Sequence, residues 1–223
     1  MPFSKETLDF LFENRIQDSK IWFEEHRGIY ERVVLQPLVE LVSGLSDTLA
    51  EIDPQIVCIP KVGKSISRIY RDTRFSNDKS LYRDSMWCAF YRDRKSVPNA
   101  PGFFFELSPG GFRYGCGYYW MERRLMNRIR ERVLSDDKGY RKARKAFDSQ
   151  SVFSVEGERY KRSPCPNAME EQKDWAERKG ISFNHNSGDF DLLFSDRLGS
   201  RLNEDFPKLR EVYAFLLECA VSK

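Results

Sequence analysis

The sequence predicts an α+β fold: a single domain over residues 1–223, mainly an antiparallel meander sheet covered by N-terminal and C-terminal helices. Three observations predict it. Apolar residues recur at helical spacing through the first fifty residues and again from residue 122 onward. Between those regions lie aromatic-rich runs at 86–91, 103–107 and 112–118, the composition of half-buried strands. No linker long enough to divide the chain interrupts them.

Each element has a local reason. Ser4 caps a first helix whose inner stripe reads Leu8, Leu11 and Phe12, and residues 14–18 break it. Ser19 caps a second helix with Trp22, Phe23, His26, Tyr30, Val33 and Val34 at helical spacing. Pro37 restarts the helix because it lacks a backbone donor. Leu38, Leu41, Val42, Leu45 and Leu49 then carry the apolar face to Asp53-Pro54. Trp22 reads as core and His26 as a packed histidine. Residues 56–59 form a short apolar run, 66–70 a better strand candidate and 86–91 a buried strand. Residues 103–107 and 112–118 flank Ser108-Pro109-Gly110-Gly111, a strong hairpin signal. The sum is a meander of about four strands.

Gly115 and Gly117 mark a bulge or a place where a backbone or ligand comes close. Tyr118, Tyr119 and Trp120 follow, an aromatic cluster suited to core packing or to stacking on a ring. Helices are expected at 122–134 and from Asp136 or Asp137 to 147. A small hairpin is expected at 155–160 and an irregular basic connector at 161–166. A polar helix at 168–179 is closed by Gly180, and an edge strand follows at 181–185. Ser195 caps the next helix. Pro207 opens the last one, with Leu209, Val212, Phe215, Leu216 and Cys219 as its inner stripe.

Composition narrows the classes. Hydrophobic residues make up 40% and charged residues 32% of the chain, and no apolar run approaches eighteen residues, so no membrane span is expected. The first residues lack a signal-peptide pattern, and five scattered cysteines without a Cys-x-x-Cys fit free thiols in a reducing cytoplasm. The net charge of +3 is unevenly spread. Residues 61–95 and 121–147 each hold ten cations against four carboxylates, which leaves −9 for the rest. Such surpluses suit phosphates or nucleic acid, or solvated helix faces paired with the acidic remainder.

The stretch around which the chain is organised runs from Arg68 to Arg83. It packs five cations, two carboxylates and three aromatics into sixteen residues. Arginine forks fit carboxylate and phosphate, and several cannot share a small dry space without counter-charge. Asp72 and Asp78 supply some of it. A bound anion would supply the rest, unless the loop is only a structural ion-pair network. Ser76 to Lys79 carries turn chemistry, with Phe75 and Tyr82 as apolar anchors. The candidate ligand-binding residues are Arg68, Arg71, Asp72, Arg74, Asp78, Lys79 and Tyr82.

The pattern Arg68-x-x-Arg71-Asp72-x-Arg74-Phe75-x-x-Asp78-Lys79-x-x-Tyr82 resembles the signature of a bacterial and fungal family, domain of unknown function 2461. Trp22-Phe23 with Tyr30, Pro109-Gly110-Gly111, and Lys161-Arg162 with Pro164 extend the resemblance over nearly the whole chain. Leu81 stands where proline is usual, and His26 where asparagine is common. The resemblance implies a fold and a site location and brings no activity.

The remaining chemistry is sparse. Two histidines, His26 and His185, exclude a histidine-rich metal site, and no zinc spacing, phosphate-cradling loop or nucleophile elbow occurs. Arginines beside Asp72 and Asp78 oppose a Mg²⁺ there. Asp72 as base and Tyr82 as acid would have no substrate in view. The sequence names no cofactor, reaction or oligomeric state. Its first functional reading is a pocket for a small phosphorylated or carboxylated ligand, and its second a nucleic-acid-associated protein using the basic helices at 122–147. A structural network with a partner-docking role is the third.

Overall fold

The structure is a computed structural model that describes residues 2–221 apart from 75, 94 and 119. The N-terminal layer begins with α1 (Lys5–Gln17), where Ser4 N–H donates to Thr7 Oγ1 and Thr7 reaches Val33 O. Asp18, in left-handed conformation, ends it. The buried stripe uses Leu8, Phe10 and Leu11; Phe12 is turned outward instead. Ser19 Oγ accepts from Trp22 N–H and caps α2 (Lys20–Glu25). After α3 (Arg27–Tyr30) the backbone widens into a π-turn at Glu31–Leu35, and α4 (Gln36–Gly44) restarts at Pro37, whose missing donor explains the break. The α5 helix (Ser46–Ile52) completes the layer.

Six strands form one antiparallel sheet in the order β1-β2-β3-β4-β6-β5. They are β1 (Ile56–Val57), β2 (Met86–Arg92), β3 (Gly102–Ser108), β4 (Gly111–Gly117), β5 (Ser154–Glu156) and β6 (Ser182–Ser187). Pro109-Gly110 joins β3 to β4, as expected, with Ser108 opposite Gly111. The expected strand at 66–70 is absent as such. Ser65 and Ser67 only accompany β2: Ala89 N–H donates to Ser65 O and Ser67 N–H to Trp87 O, both at 2.9 Å. The chain then leaves the sheet, because its next residues alternate neither apolar face with polar. The hairpin expected at 155–160 is also absent. Residues 154–156 instead pair with β6, whose partners come 26 or more residues later. Arg178 fastens that return by donating to Gly157 O and to Asp174. The strand expected at the edge around 181–185 therefore lies one place inside it.

One sheet face is the core. Met86, Cys88 and Phe90, then Phe103, Phe105 and Leu107, then Phe112, Tyr114 and Cys116 all point into it. Covering them are α6 (Arg123–Leu134), α7 (Lys138–Asp148), α8 (Glu170–Ala176), α9 (Phe190–Leu193), α10 (Arg197–Asp205), a 3₁₀ turn at Phe206–Leu209 and α11 (Arg210–Val221). Leu125, Ile129 and Val133 form the expected buried stripe of α6. Phe103 meets Phe206 and Tyr213 at ring distances of 5.0 and 5.3 Å, which seats α11 on the sheet centre.

Two buried carboxylates tie the layers. Asp53, 5% exposed after α5, accepts from Arg92 Nε of β2 at 2.6 Å and from the Tyr213 hydroxyl of α11. Asp205 accepts from Tyr114, Arg201 and Lys208. Burial pushes the Asp53 carboxyl up, but the Arg92 and Tyr213 bonds outweigh it and hold the group below its ordinary value. Among the described residues no single helix is long and apolar enough to cross a membrane. The bent pair Arg27–Gly44 and Ser46–Ile52 owes its apolarity to core positions such as Val34, Leu38 and Val42.

Candidate functional site

Residues 69–71 and 81–83 form the two legs of the loop singled out by the sequence. Arg71 N–H donates to Leu81 O and Arg83 N–H to Ile69 O. Tyr82 is fully buried, 5.1 Å from the Phe23 ring and 4.9 Å from Tyr70, and so is the anchor expected of it. Phe75, the other expected anchor, lies outside the described residues. The loop is bound to α1. Asp18 accepts from Leu81 N–H, and Arg15 donates to Asp78 at 2.7 Å. Arg71 reaches the same Asp78 oxygen at 3.3 Å. Asp78 also accepts from Ser80, whose hydroxyl and N–H lower its pKa first, before the two guanidiniums.

The seven expected residues do not converge on one centre. Arg71 and Asp78 meet, joined by Arg15. Asp72 and Arg74 pair with each other in the open, because an aspartate bonds readily to the backbone two residues on; Arg74 N–H lies 3.2 Å from Asp72 Oδ1. The Arg74 guanidinium holds the Asp72 carboxyl down to about 2. Lys79 Nζ donates to Thr73 O. Arg68 points elsewhere, toward Gly63. Arg71, Arg83 and Arg92 do not gather either: Arg71 holds Asp78, Arg83 lies 4.5 Å over Trp87, and Arg92 holds Asp53. Two buried polar groups at this loop and α1 have no hydrogen-bond partner among the described residues: Arg71 Nε and the Asn14 amide.

Arg68 opens onto a different place, the sheet face opposite the core. The strand register lays three rows of outward residues across it. The first runs Tyr91, Gly102, Gly117, Ser182. The second runs Ala89, Phe104, Gly115, Asn184. The third runs Trp87, Glu106, Arg113, Asn186. Large aromatics thus stand on β2 and β3, while glycines leave the floor low on β4. The loop at Pro98–Ala100 and the exposed Trp120 wall the concavity, whose volume is about 870 Å³. That is well within the range of small-molecule sites. Three other depressions measure about 560, 600 and 460 Å³.

The cleft has an uneven polar lining. Arg113 and Glu106 neutralise each other across β3 and β4 at 2.6 Å. Arg68 and Lys64 sit at the β2 side, and neither has a carboxylate partner among the described residues. At the β6 side Asn184 is 3% exposed. Its Nδ2 donates to Glu156 at 2.6 Å and to Ser182 at 3.1 Å, and its Oδ1, shut off from the cleft, has no partner among the described residues.

Sequence reasoning missed Lys64, Trp87, Phe104 and Asn184. Its signals for the area were Gly115, Gly117, Tyr118 and Trp120, all on or beside the cleft; Tyr119 lies outside the described residues. Tyr118 is committed elsewhere, donating to Leu216 O at 2.6 Å. His26 is packed as expected, stacked on Trp22 at 4.0 Å, and His185 lies against Tyr114. Trp22 is only partly buried. Among the described residues no group of three His, Cys, Asp or Glu side chains is placed to hold a metal. The basic helices spend much of their charge locally: Arg132 on Asp137 and Glu218, Arg141 on Asp136, Lys142 on Glu211 and Arg144 on Asp148.

Together these features define an α+β protein whose antiparallel sheet is helix-covered on one face and carries a ligand-sized concavity on the other. The chain belongs to the DUF2461 family, described as a conserved hypothetical protein, whose model matches residues 6–215. The membership expected from the resemblance therefore holds over nearly the whole chain. No curated protein and no solved structure matches it.

Proposed function

We propose that the protein binds a small carboxylated or phosphorylated ligand in the cleft on the open sheet face. Arg68 and Lys64 take the anionic group, and the body of the ligand lies in the concavity beside Trp87, Phe104 and Tyr91, where Arg83 already covers one face of Trp87 and Arg113 one face of Phe104. The observation that carries this reading is Arg68: a guanidinium with no acidic partner among the described residues, at the mouth of an aromatic-lined concavity. A planar fork of donors there suits a carboxylate or phosphate. The rest of the loop serves as a frame. Tyr82 anchors it, Asp78 joins it to α1 through Arg15 and Arg71, and Asp72, Arg74 and Lys79 brace its tip. The local pairing along α6 and α7 favours a small ligand over nucleic acid.

Isothermal titration with phenyl phosphate and benzoate tests the reading. Wild type binds at low salt, Arg68→Ala binds at least tenfold more weakly, and Arg74→Ala binds as wild type does. Equal binding by wild type and Arg68→Ala, or no binding of either probe, refutes it.

A further inference from the structure

The charges lining the cleft narrow the kind of anion it takes. Four cations and one carboxylate line it: Lys64, Arg68, Arg83, Arg113 and Glu106. Glu106 is held by Arg113 across β3 and β4 at 2.6 Å. Lys64 and Arg68 have no acidic partner among the described residues, and Arg83 adds its charge at the same side. Two further acids are near in sequence. Asp84 is exposed and stands outside the lining. Asp72 feels the Arg83 charge but is itself paired with Arg74 at 2.7 Å.

The backbone brings these cations to one margin of the sheet. Gly63 N–H donates to Ile66 O and closes a tight turn, with Gly63 at a φ of +77° that favours glycine. The Arg68 guanidinium packs over the bare side of Gly63, where a Cβ would lie 3.6 Å from its Nε. It is thereby set beside the turn that carries Lys64. Ser67, the residue before Arg68, donates its N–H to Trp87 O and accepts from Trp87 N–H. On the other side of Arg68, Ile69 O accepts from Arg83 N–H. The Arg83 guanidinium is then fixed over Trp87 at 4.5 Å, with Nε donating to Tyr70 O at 3.3 Å.

A carboxylate carries one charge and would leave either Lys64 or Arg68 uncompensated. A phosphate monoester carries about −1.5 to −2 at pH 7 and three terminal acceptor oxygens. It can take the Arg68 fork on two oxygens and the Lys64 ammonium on the third. The rest of the concavity, with Tyr91, Phe104 and Trp120 on its walls, is uncharged apart from the Arg113–Glu106 pair and suits an organic body. We infer that the cleft recognises a phosphate monoester as its dianion and discriminates against carboxylates and phosphodiesters. Lys64 is the residue that reads the second charge. The inference rests on the anion-binding reading of the cleft given above.

The test compares four probes by titration calorimetry at low salt: phenyl phosphate, methyl phenyl phosphate, benzoate and inorganic phosphate. The first two share ring and phosphorus and differ by one charge. At pH 7.5 wild type binds phenyl phosphate roughly tenfold more tightly than each of the other three. At pH 5 its preference over the diester shrinks to within threefold, because the second proton of a monoester binds near pH 6. Among the described lining residues none is a histidine, an aspartate or a cysteine, so that change is read on the ligand. Lys64→Ala, at an exposed position, brings monoester and diester within threefold at pH 7.5 by weakening the monoester. Equal binding of monoester and diester overturns the inference and leaves the anion site standing. So does benzoate or inorganic phosphate bound as tightly as phenyl phosphate. A tenfold preference that survives at pH 5 or in Lys64→Ala overturns it as well. Failure of all four probes removes the anion site itself.

Discussion

Replacing Asp53 by alanine should cost about 4 kcal/mol of folding free energy at pH 7. The carboxylate is nearly enclosed and accepts two bonds from Arg92, at 2.6 and 3.1 Å, and one from Tyr213. Breaking a buried ion pair from one side costs roughly 3–5 kcal/mol, and an orphaned buried hydroxyl adds about 1–3 kcal/mol. The Arg92 side chain is 21% exposed, so water recovers part of the first loss. The sum settles near the middle of the ion-pair range. With an m value of about 3 kcal/mol/M, the urea midpoint falls by about 1.3 M. Tyr213→Phe alone should cost about 1 kcal/mol, and in the Asp53→Ala background close to nothing, because the orphan is gone. The pH dependence has a fixed sign. The folded carboxyl titrates below its ordinary 3.8, so its contribution is complete above that value and is lost as pH falls through the lower, folded pKa. The gap between wild type and Asp53→Ala should therefore narrow in acid. A loss under 1 kcal/mol at pH 7, a gap that widens in acid, or full additivity with Tyr213→Phe would refute the three-way tie.

Other outcomes follow from single residues. A Cβ at Gly115 would lie 2.0 Å from Phe183 O, so Gly115→Ala forces β4 and β6 apart and lowers the melting temperature by about 4–8 °C for a cost near 2 kcal/mol. The Asp72–Arg74 pair is exposed, and Asp72→Asn should leave the thermal midpoint where it is. Burial pushes the Cys88 and Cys116 thiols far up, so both should react with a thiol reagent only at the rate of unfolding, as read by mass spectrometry with and without urea. Arg15→Ala should loosen the 72–80 loop, seen as faster amide exchange there, while Arg68-dependent binding persists.

Much of the fold was legible because its signals are local. Met86 to Tyr91 and Phe103 to Leu107 are aromatic-rich apolar runs, and Pro109-Gly110 turns the chain within two residues. Pro37 and Pro207 announce their own interruptions. The three-residue β5 strand was not legible, since its partner β6 lies far along the chain, as do the groups that hold the return, Arg178 on Gly157 O and Asn184 on Glu156 among them. The arginine loop misled for a related reason. Composition reveals that charges are near one another in sequence, but partner choice depends on geometry. Asp72 turned to its neighbour Arg74, and Asp78 was claimed by Arg15, 63 residues away. The cleft was hardest to see, being assembled from every second residue of four strands. Asn184 carries no signal in sequence, because an unpaired oxygen exists only once Glu156 has taken the nitrogen.

The sheet's sticky middle is fenced by its brevity at the margins. Strands β1 and β5, on the two outer borders, span two and three residues, whereas the aromatic-rich β2, β3 and β4 span seven each and lie between neighbours. A second molecule offering a strand would find only a few free backbone groups to zip onto. The chain can thus display tryptophan, tyrosine and phenylalanine on an uncovered surface without inviting fibril-like stacking of its own copies.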